Sequence, residues 1–537
     1  MHACTWNHSA IDPASLDLKS FKIWDCAKAI LLPTISPLKR FPAGDRRSRP
    51  RGRRLFDVIE ELSVSGSIVN GAEDRTGVLI DVVCPATGRA HSKLSLAGEP
   101  TVIAAVDAAR KAFPAWAAVA PAQRARYLLR FLEILNRDKQ DLAEIVTREH
   151  GKPIADALGS IQRGIEVVEF AIGAPHLLKG ENADHVATGI STRSARKPLG
   201  VCLGITPYNY PVMIPLWMFP ISLVCGNTFI LKPSESVPGA ANRLAEMLHE
   251  AGVPDGVFNV VQGNKTAAEA LIKHRDIAAV SFVGSTAAAR DVYRLATHEG
   301  KRAQALGGAK NHAIIMPDAD MSLVVDATLN GAFNSAGQRC MAIAVAVCVG
   351  DAYDRYVPLL LDRAKALQVS AGTDPKCFVP PISNARQFGH VLQHIARAVE
   401  EGGRLSLDGR RDETSGYLVG PTIVEDVNTS MSIYREEVFG PVLAVMKVES
   451  LDAAITLAND HELANGAVLF TASGSDAAKF ERNILCGMPG VNVPVPSPVA
   501  YFSFGGNKKS FNGDLAMHGP DSINFYTRRQ VLTTRWP

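Results

Sequence analysis

From Leu199 onward the chain alternates between short apolar runs, rich in β-branched residues, and longer stretches with helical spacing. GVCLGI, NTFILKP, FNVVQG and IAAVSFVG form a first series, each bounded by Gly, Pro or Asn. Parallel strands need a helical crossover and are buried on both faces, so this texture is the signature of βαβ units. A second series starts near His312 (HAIIMPDAD) and continues through AVAVCV, PTIV (421–424), PVLAVMKV (441–448) and GAVLF (466–470). The pattern predicts an α/β protein with two successive α/β domains. The cleft between them is the expected ligand site.

Upstream, LIDVVCPATG near Ile80–Ala90 reads as a strand entering a turn. Thr101–Trp116 and Pro121–His150 read as helices. In the second, Leu128, Leu132, Leu135 and Leu142 fall largely on one face, and Gly151-Lys152-Pro153 breaks it. Val212–Gly226 (VMIPLWMFPISLVCG) is apolar throughout, but its 15 residues are interrupted by Pro215 and Pro220. A membrane span needs ~20 residues. The stretch predicts a buried helix and no membrane association.

Residues 1–62 read as an N-terminal extension, expected to be disordered. Within it, residues 39–54 hold eight basic residues and one acid. That local +7 leaves the rest of the chain at −4, against +3 overall. Nucleic-acid binding would rest on this arm alone, and the acidic body argues against it. The arm's Pro and Gly also argue against an amphipathic transit helix. Nine cysteines are scattered without a CxxC pair, which points to a reducing compartment and to no metal site. HExxH, GxSxG, Walker A and GxGxxG patterns are all absent.

Several short segments offer chemistry. Cys340 lies in the small-residue loop NSAGQRCM, where Arg339 or local amides would favour its thiolate. A lone Cys reads more often as a small core hydrophobe. Lys232 ends an apparent strand and is followed by Pro233-Ser234-Glu235, the place where open α/β sheets bind ligands; the plain alternative is a surface ion pair. Ser285 opens a helix after Phe282-Val283-Gly284, either near a phosphate or as a simple N-cap. Asn209, in Thr206-Pro207-Tyr208-Asn209-Tyr210-Pro211, is an oxyanion donor or a turn residue. Glu436-Glu437-Val438-Phe439-Gly440-Pro441 puts carboxylates and an aromatic just before a strand.

Taken together, and in this order, these segments resemble the aldehyde dehydrogenase superfamily over roughly residues 65–537. GSIQRGIEVVEFA (159–171), PVMIPLWMFP (211–220), GNTFILKPSE (226–235), AGQRCMA (336–342) and FYTRRQVLTTRW (525–536) carry the likeness. PLWMFP, GAKNH and GVNVPVP (490–496) point to the CoA-acylating branch that oxidises methylmalonate semialdehyde.

The resemblance implies Cys340 as nucleophile, with Asn209 and the Cys340 amide as the oxyanion hole. It implies Tyr208, Lys232, Glu235, Ser285, Glu437 and Phe439 at NAD, and Arg163 and Arg339 at a substrate carboxylate. It also implies an aldehyde dehydrogenase fold. A Rossmann-like NAD-binding domain would span 63–180 and 199–305, a catalytic domain 306–500, and a β oligomerisation arm 181–198 and 501–537. A homodimer or homotetramer follows, in the cytoplasm or alternatively the mitochondrial matrix.

One departure is informative. Hydrolytic relatives carry Glu-Leu-Gly-Gly where this chain reads Ala305-Leu306-Gly307-Gly308. Without that general base, a thiol such as CoA is a better acyl acceptor than water. A hydrolytic enzyme, for example one acting on succinate semialdehyde, is the rival reading. Ser236, Tyr210, Pro380 and Asn507 depart from the common pattern and bear on affinity.

Overall fold

The structure is a computed structural model that describes residues 62–411 and 416–536. The basic arm at 39–54 and nearly all of the expected 1–62 extension lie outside the described residues. The described chain belongs to one compact unit, Glu60–Pro537.

The first apolar series becomes the centre of an eight-stranded sheet. Its order is Phe511–Asn512, Arg302–Leu306, Ile277–Val283, Val201–Ile205, Thr228–Lys232, Phe258–Val260, Ser67–Val69 and Ala72–Asp74. The five middle strands are mutually parallel, while the strands outside them pair antiparallel. The chain winds outward from Val201–Ile205 through Thr228–Lys232 to Phe258–Val260. It then crosses back to Ile277–Val283 on the other side. Crossovers therefore leave in opposite directions from the carboxyl ends of Val201–Ile205 and Ile277–Val283. Such a reversal opens a crevice for ligands.

The second series forms a seven-stranded sheet ordered Arg404–Leu407, Thr422–Glu425, Val442–Val448, Ile343–Val349, Asn311–Ile315, Gly466–Phe470 and Met488–Val491. Only the first of these pairs antiparallel. Central strands such as Val201–Ile205 and Gly466–Phe470 are buried along their whole length, which explains their uninterrupted apolar composition.

A third sheet of three antiparallel strands joins Asn182–Ala187, Ile190–Pro198 and Thr527–Arg535. Of residues 501–537, only this last strand enters that sheet. Phe511–Asn512 extends the eight-stranded sheet instead, and Asn507–Lys508 pairs with Leu463–Ala464. Arg302 ties the pieces together, donating from Nη1 to the carbonyls of Asn524, Phe525 and Thr527.

The helix expected over Pro121–His150 has those bounds and ends on Gly151 at φ 95°. Gly151 supplies the left-handed closing residue that a side chain resists. The apolar stretch near residue 212 forms the helix Met213–Val224, with every side chain buried. Phe219 meets Phe131, Phe229 and Phe258 at ring-centroid separations of 5.7, 6.4 and 4.7 Å. Trp116 Nε1 and Arg124 Nε donate to Leu223 O and Val224 O at its end, at 3.0 and 2.9 Å. Among the described residues, no helix is long and apolar enough to cross a membrane.

Phe219 joins three neighbouring elements, so Phe219→Ala should destabilise the fold by about 3–5 kcal/mol. Urea unfolding followed by tryptophan fluorescence measures this; an unchanged midpoint would show that the aromatic cluster is not part of the stabilising core.

Candidate active site

The loop before Cys340 is shaped by its backbone. After the helix Met321–Phe333, Ser335, Ala336 and Gly337 take φ of 54°, 52° and 66°. Left-handed residues other than Gly cost about 1–2 kcal/mol each. At Gly337 a side chain is also excluded, because a Cβ would stand 2.1 Å from Gly440 O. Contacts from elsewhere hold this turn. Ser335 Oγ donates to Asp156 Oδ2, and Arg339 Nη2 donates to Asp156 Oδ1 at 3.0 Å and Asn334 Oδ1 at 2.5 Å.

Cys340 is half-buried. Its carbonyl accepts from Asn311 Nδ2 at 2.9 Å and Asn465 Nδ2 at 3.1 Å, both from the seven-stranded sheet side. From the other sheet, Asn209 follows the strand Val201–Ile205, is 4% exposed, and donates from Nδ2 to Gln338 O at 3.1 Å. Its amide is thus fixed on the Cys340 loop, and this anchored position goes beyond a simple turn role.

The thiol itself departs from expectation. Burial, and then the Glu437 carboxylate, push Cys340 up to about 12. The amides of Cys340 and Met341 and the Arg339 charge act in the other direction but are outweighed. Arg339 is 12% exposed and faces Asp156, so its charge is already engaged. Arg339 and the local amides do favour the thiolate, as expected, but burial and Glu437 outweigh them.

A second cluster lines the switch point. Lys232 ends its strand, 6% exposed, with Nζ 3.5 Å from Glu235 Oε2. Burial lowers its pKa, while Glu235 opposes the shift. Thr206, the first residue after Val201–Ile205, has a buried Oγ1 without a hydrogen-bond partner. Ser285 caps the helix Thr286–His298, its Oγ accepting from Ala288 N at 3.4 Å. Glu437 accepts from Ala309 N at 2.8 Å, and burial raises it to about 7 despite that bond and Lys310. A Cβ at Gly308 would stand 2.1 Å from Glu437 Oε2, so the glycine leaves room for that carboxylate. A lysine, carboxylates at strand ends, a helix N-terminus and an orphaned hydroxyl suit the phosphates and ribose hydroxyls of a dinucleotide.

The Glu436–Phe439 loop is gripped by its carbonyls. Lys310 Nζ donates to Glu436 O at 2.9 Å, and Gln387 Nε2 to Val438 O at 2.9 Å and Phe439 O at 3.1 Å; His390 Nε2 lies 3.4 Å from Glu437 O. Phe439, at φ 53°, meets Tyr208 edge-on at 6.1 Å, and Tyr208 stacks on His150 at 6.2 Å.

Among the described residues, the two arginines share no hydrogen-bond partner. Arg163 pairs with Glu166 at 2.6 Å and donates to Pro498 O at 2.7 Å. It lies on the helix Ile154–Gly173, seven residues from Asp156, which holds Arg339. Seven residues return to one helix face about 10 Å along. Ala305 is fully buried on Arg302–Leu306, so this strand offers no carboxylate.

Sequence reading missed Lys152, Asp156, Asn311, Asn465, Lys310 and Gln387. The Gly151-Lys152-Pro153 break was the only visible signal for the first two. Among the described residues, no group of three or more His, Cys, Asp or Glu is placed to hold a metal ion.

A family model described as "Aldehyde dehydrogenase family" matches residues 72–532. Malonate-semialdehyde dehydrogenase of Pseudomonas aeruginosa is 48% identical over 462 residues, covering 85% of this chain and 93% of that protein. Malonate-semialdehyde dehydrogenase 1 of Bacillus licheniformis is 46% identical over 476 residues, covering 88% and 97%. A Sinorhizobium meliloti protein assigned to methylmalonate-semialdehyde dehydrogenase and solved with NAD superposes with TM-score 0.88 at 45% identity, covering 89% and 99%. Methylmalonate-semialdehyde dehydrogenase from Oceanimonas doudoroffii gives 0.87 at 46%, covering 89% and 99%.

Because Glu437 raises the thiol, Glu437→Gln removes an anion that disfavours the thiolate. Iodoacetamide should then alkylate Cys340 severalfold faster at pH 7.5, read by peptide mass spectrometry. A slower rate would reverse the assigned electrostatics.

Proposed function

Since the chain belongs to the aldehyde dehydrogenase family, with its α/β fold, we propose that it is an NAD-dependent, CoA-acylating oxidoreductase for malonate and methylmalonate semialdehyde. The observation that carries the acyl-acceptor assignment is Ala305, a buried methyl group at the position where the family resemblance places the general base of hydrolytic members. The semialdehyde assignment is supported by the relatives' names and by arginines at 163 and 339.

Cys340 attacks the aldehyde carbon once its thiol proton has left. Asn209 Nδ2 and the Cys340 amide donate to the oxyanion of the thiohemiacetal, where negative charge develops. Tyr208, Lys232, Glu235, Ser285, Glu437 and Phe439 would hold NAD, which supplies the hydride acceptor. Loss of hydride from the thiohemiacetal leaves an acyl group on Cys340 as a thioester. Arg163 and Arg339 orient the substrate carboxylate, since a guanidinium fork matches a carboxylate. That group then leaves as CO2, its electron pair passing into the thioester carbonyl as an enolate that takes up a proton at its α-carbon. CoA attacks the acyl carbon with its thiolate, a nucleophile that needs no positioned base, and the bond to Cys340 breaks with the Cys340 thiolate as leaving group. Malonate semialdehyde gives acetyl-CoA and methylmalonate semialdehyde gives propionyl-CoA.

The strand Thr527–Arg535 exposes Val531 and Leu532, 64% and 46% accessible. A second copy covering this edge is the proposed basis of a dimer or tetramer. A cytoplasmic location accompanies this reading.

Omitting CoA should cut sustained NADH production at least tenfold; equal sustained rates would overturn acyl transfer in favour of hydrolysis. Cys340→Ala should abolish turnover. Arg163→Ala should raise KM for malonate semialdehyde about tenfold while leaving propionaldehyde within twofold, and equal effects on both would remove the carboxylate role.

A further inference from the structure

Beneath the catalytic loop lies a buried ion pair, Lys152 and Asp156, that the proposed reaction does not use. Lys152 is fully buried, with Nζ 3.8 Å from Asp156 Oδ2 and 4.1 Å from the Tyr210 ring centre. Asp156 opens the helix Ile154–Gly173 and is 18% exposed. It accepts from Ser335 Oγ through one oxygen and from Arg339 Nη2 through the other. Burial pushes the Asp156 carboxyl up, yet Lys152, Arg339 and the Ser335 hydroxyl together hold it below the ordinary range, so it stays ionised.

The two donors bracket the segment before Cys340. Ser335 sits in the left-handed turn, and Arg339 is the residue immediately before the thiol. Ser335 and Ala336 are not glycines, so their backbone needs external support to keep a positive φ. Asp156 supplies that support from 179 residues away in sequence.

The geometry points to Asp156 as a positioning residue that sets the Cys340 thiol against its oxyanion donors by clamping Ser335 and Arg339 across the loop. Lys152 keeps the clamp ionised, and Ser335 and Arg339 transmit it. The assignment rests on Cys340 being the nucleophile.

The full-length enzyme carrying Asp156→Ala, Ser335→Ala or both is compared with the unaltered chain, using propionaldehyde, NAD and CoA. Asp156→Ala should lower kcat tenfold or more and leave KM for NAD within twofold. Cys340 alkylation by iodoacetamide at pH 7.5 should be no slower than in the unaltered chain, because removing an anion favours a neighbouring thiolate. Ser335→Ala keeps every charge and should lower kcat three- to tenfold with alkylation within twofold. The double variant should be no slower than Asp156→Ala alone, since both act through one contact. Turnover within twofold of normal in both single variants overturns the proposal. So does alkylation falling in parallel with kcat, which would make Asp156 a determinant of thiol reactivity instead of its placement. Should Asp156→Ala fail to fold, Ser335→Ala decides alone by the same criteria. Cys340→Ala is run beside them: retained turnover there removes the nucleophile assignment, whereas an inactive Cys340→Ala with normal Asp156 and Ser335 variants removes only the clamp.

Discussion

A left-handed turn at Ser335, Ala336 and Gly337 is the constraint on which the site depends. It bends the chain so that Cys340 emerges between two sheets instead of continuing the helix Met321–Phe333. Such a turn is costly for two of its three residues and offers the chain little by itself. The surroundings therefore over-determine it. Asp156 holds Ser335 of the turn from a helix packed beneath, and the residues that follow are fixed at Gln338 by Asn209 from the eight-stranded sheet and at Cys340 by Asn311 and Asn465 from the seven-stranded sheet. The thiol's place is thus a property of the whole fold, assembled from four distant segments.

Charge placement follows a related logic. Lys152 and Arg339 bring two cations to one anion, Asp156, in a region mostly closed to water. Buried charges persist when they are paired and hydrogen-bonded, and an unpaired one is expensive. With two cations against one anion, the cluster keeps a net positive charge beneath the Cys340 loop. Across the site, Glu437 is held by Ala309 N and faces Lys310, so positive and negative groups alternate around the thiol.

The sheets were legible in the sequence because each strand carries its own signal. Val201–Ile205 and Gly466–Phe470 are apolar on both faces, and short runs of that kind between turn residues have few other uses. Pro121–His150 was legible to its last residue, since Pro opens it and Gly151 closes it. Cys340, Asn209 and Glu437 stood out through local motifs. Asp156 and Lys152 did not. Their partners lie far along the chain, and Gly-Lys-Pro announces a helix boundary without revealing what the lysine faces. The thiol's raised pKa was equally invisible: Arg339 is adjacent in sequence, but its charge is spent on Asp156 and burial decides the balance. Phe511–Asn512 is too short to signal a strand, and only its pairing with Arg302–Leu306 gives it that role.

That pairing has an evolutionary consequence. Ala305 lies opposite Phe282 on one side and Asn512 on the other, sealed within a packed sheet. A carboxylate introduced there would be born inside apolar surroundings, with neighbours shaped around a methyl group. Placing a carboxylate at position 305 is therefore not a one-residue change in this packing. It calls for coordinated change along the Arg302–Leu306 strand and the segment that seals it, so the sheet resists alteration of this position one residue at a time.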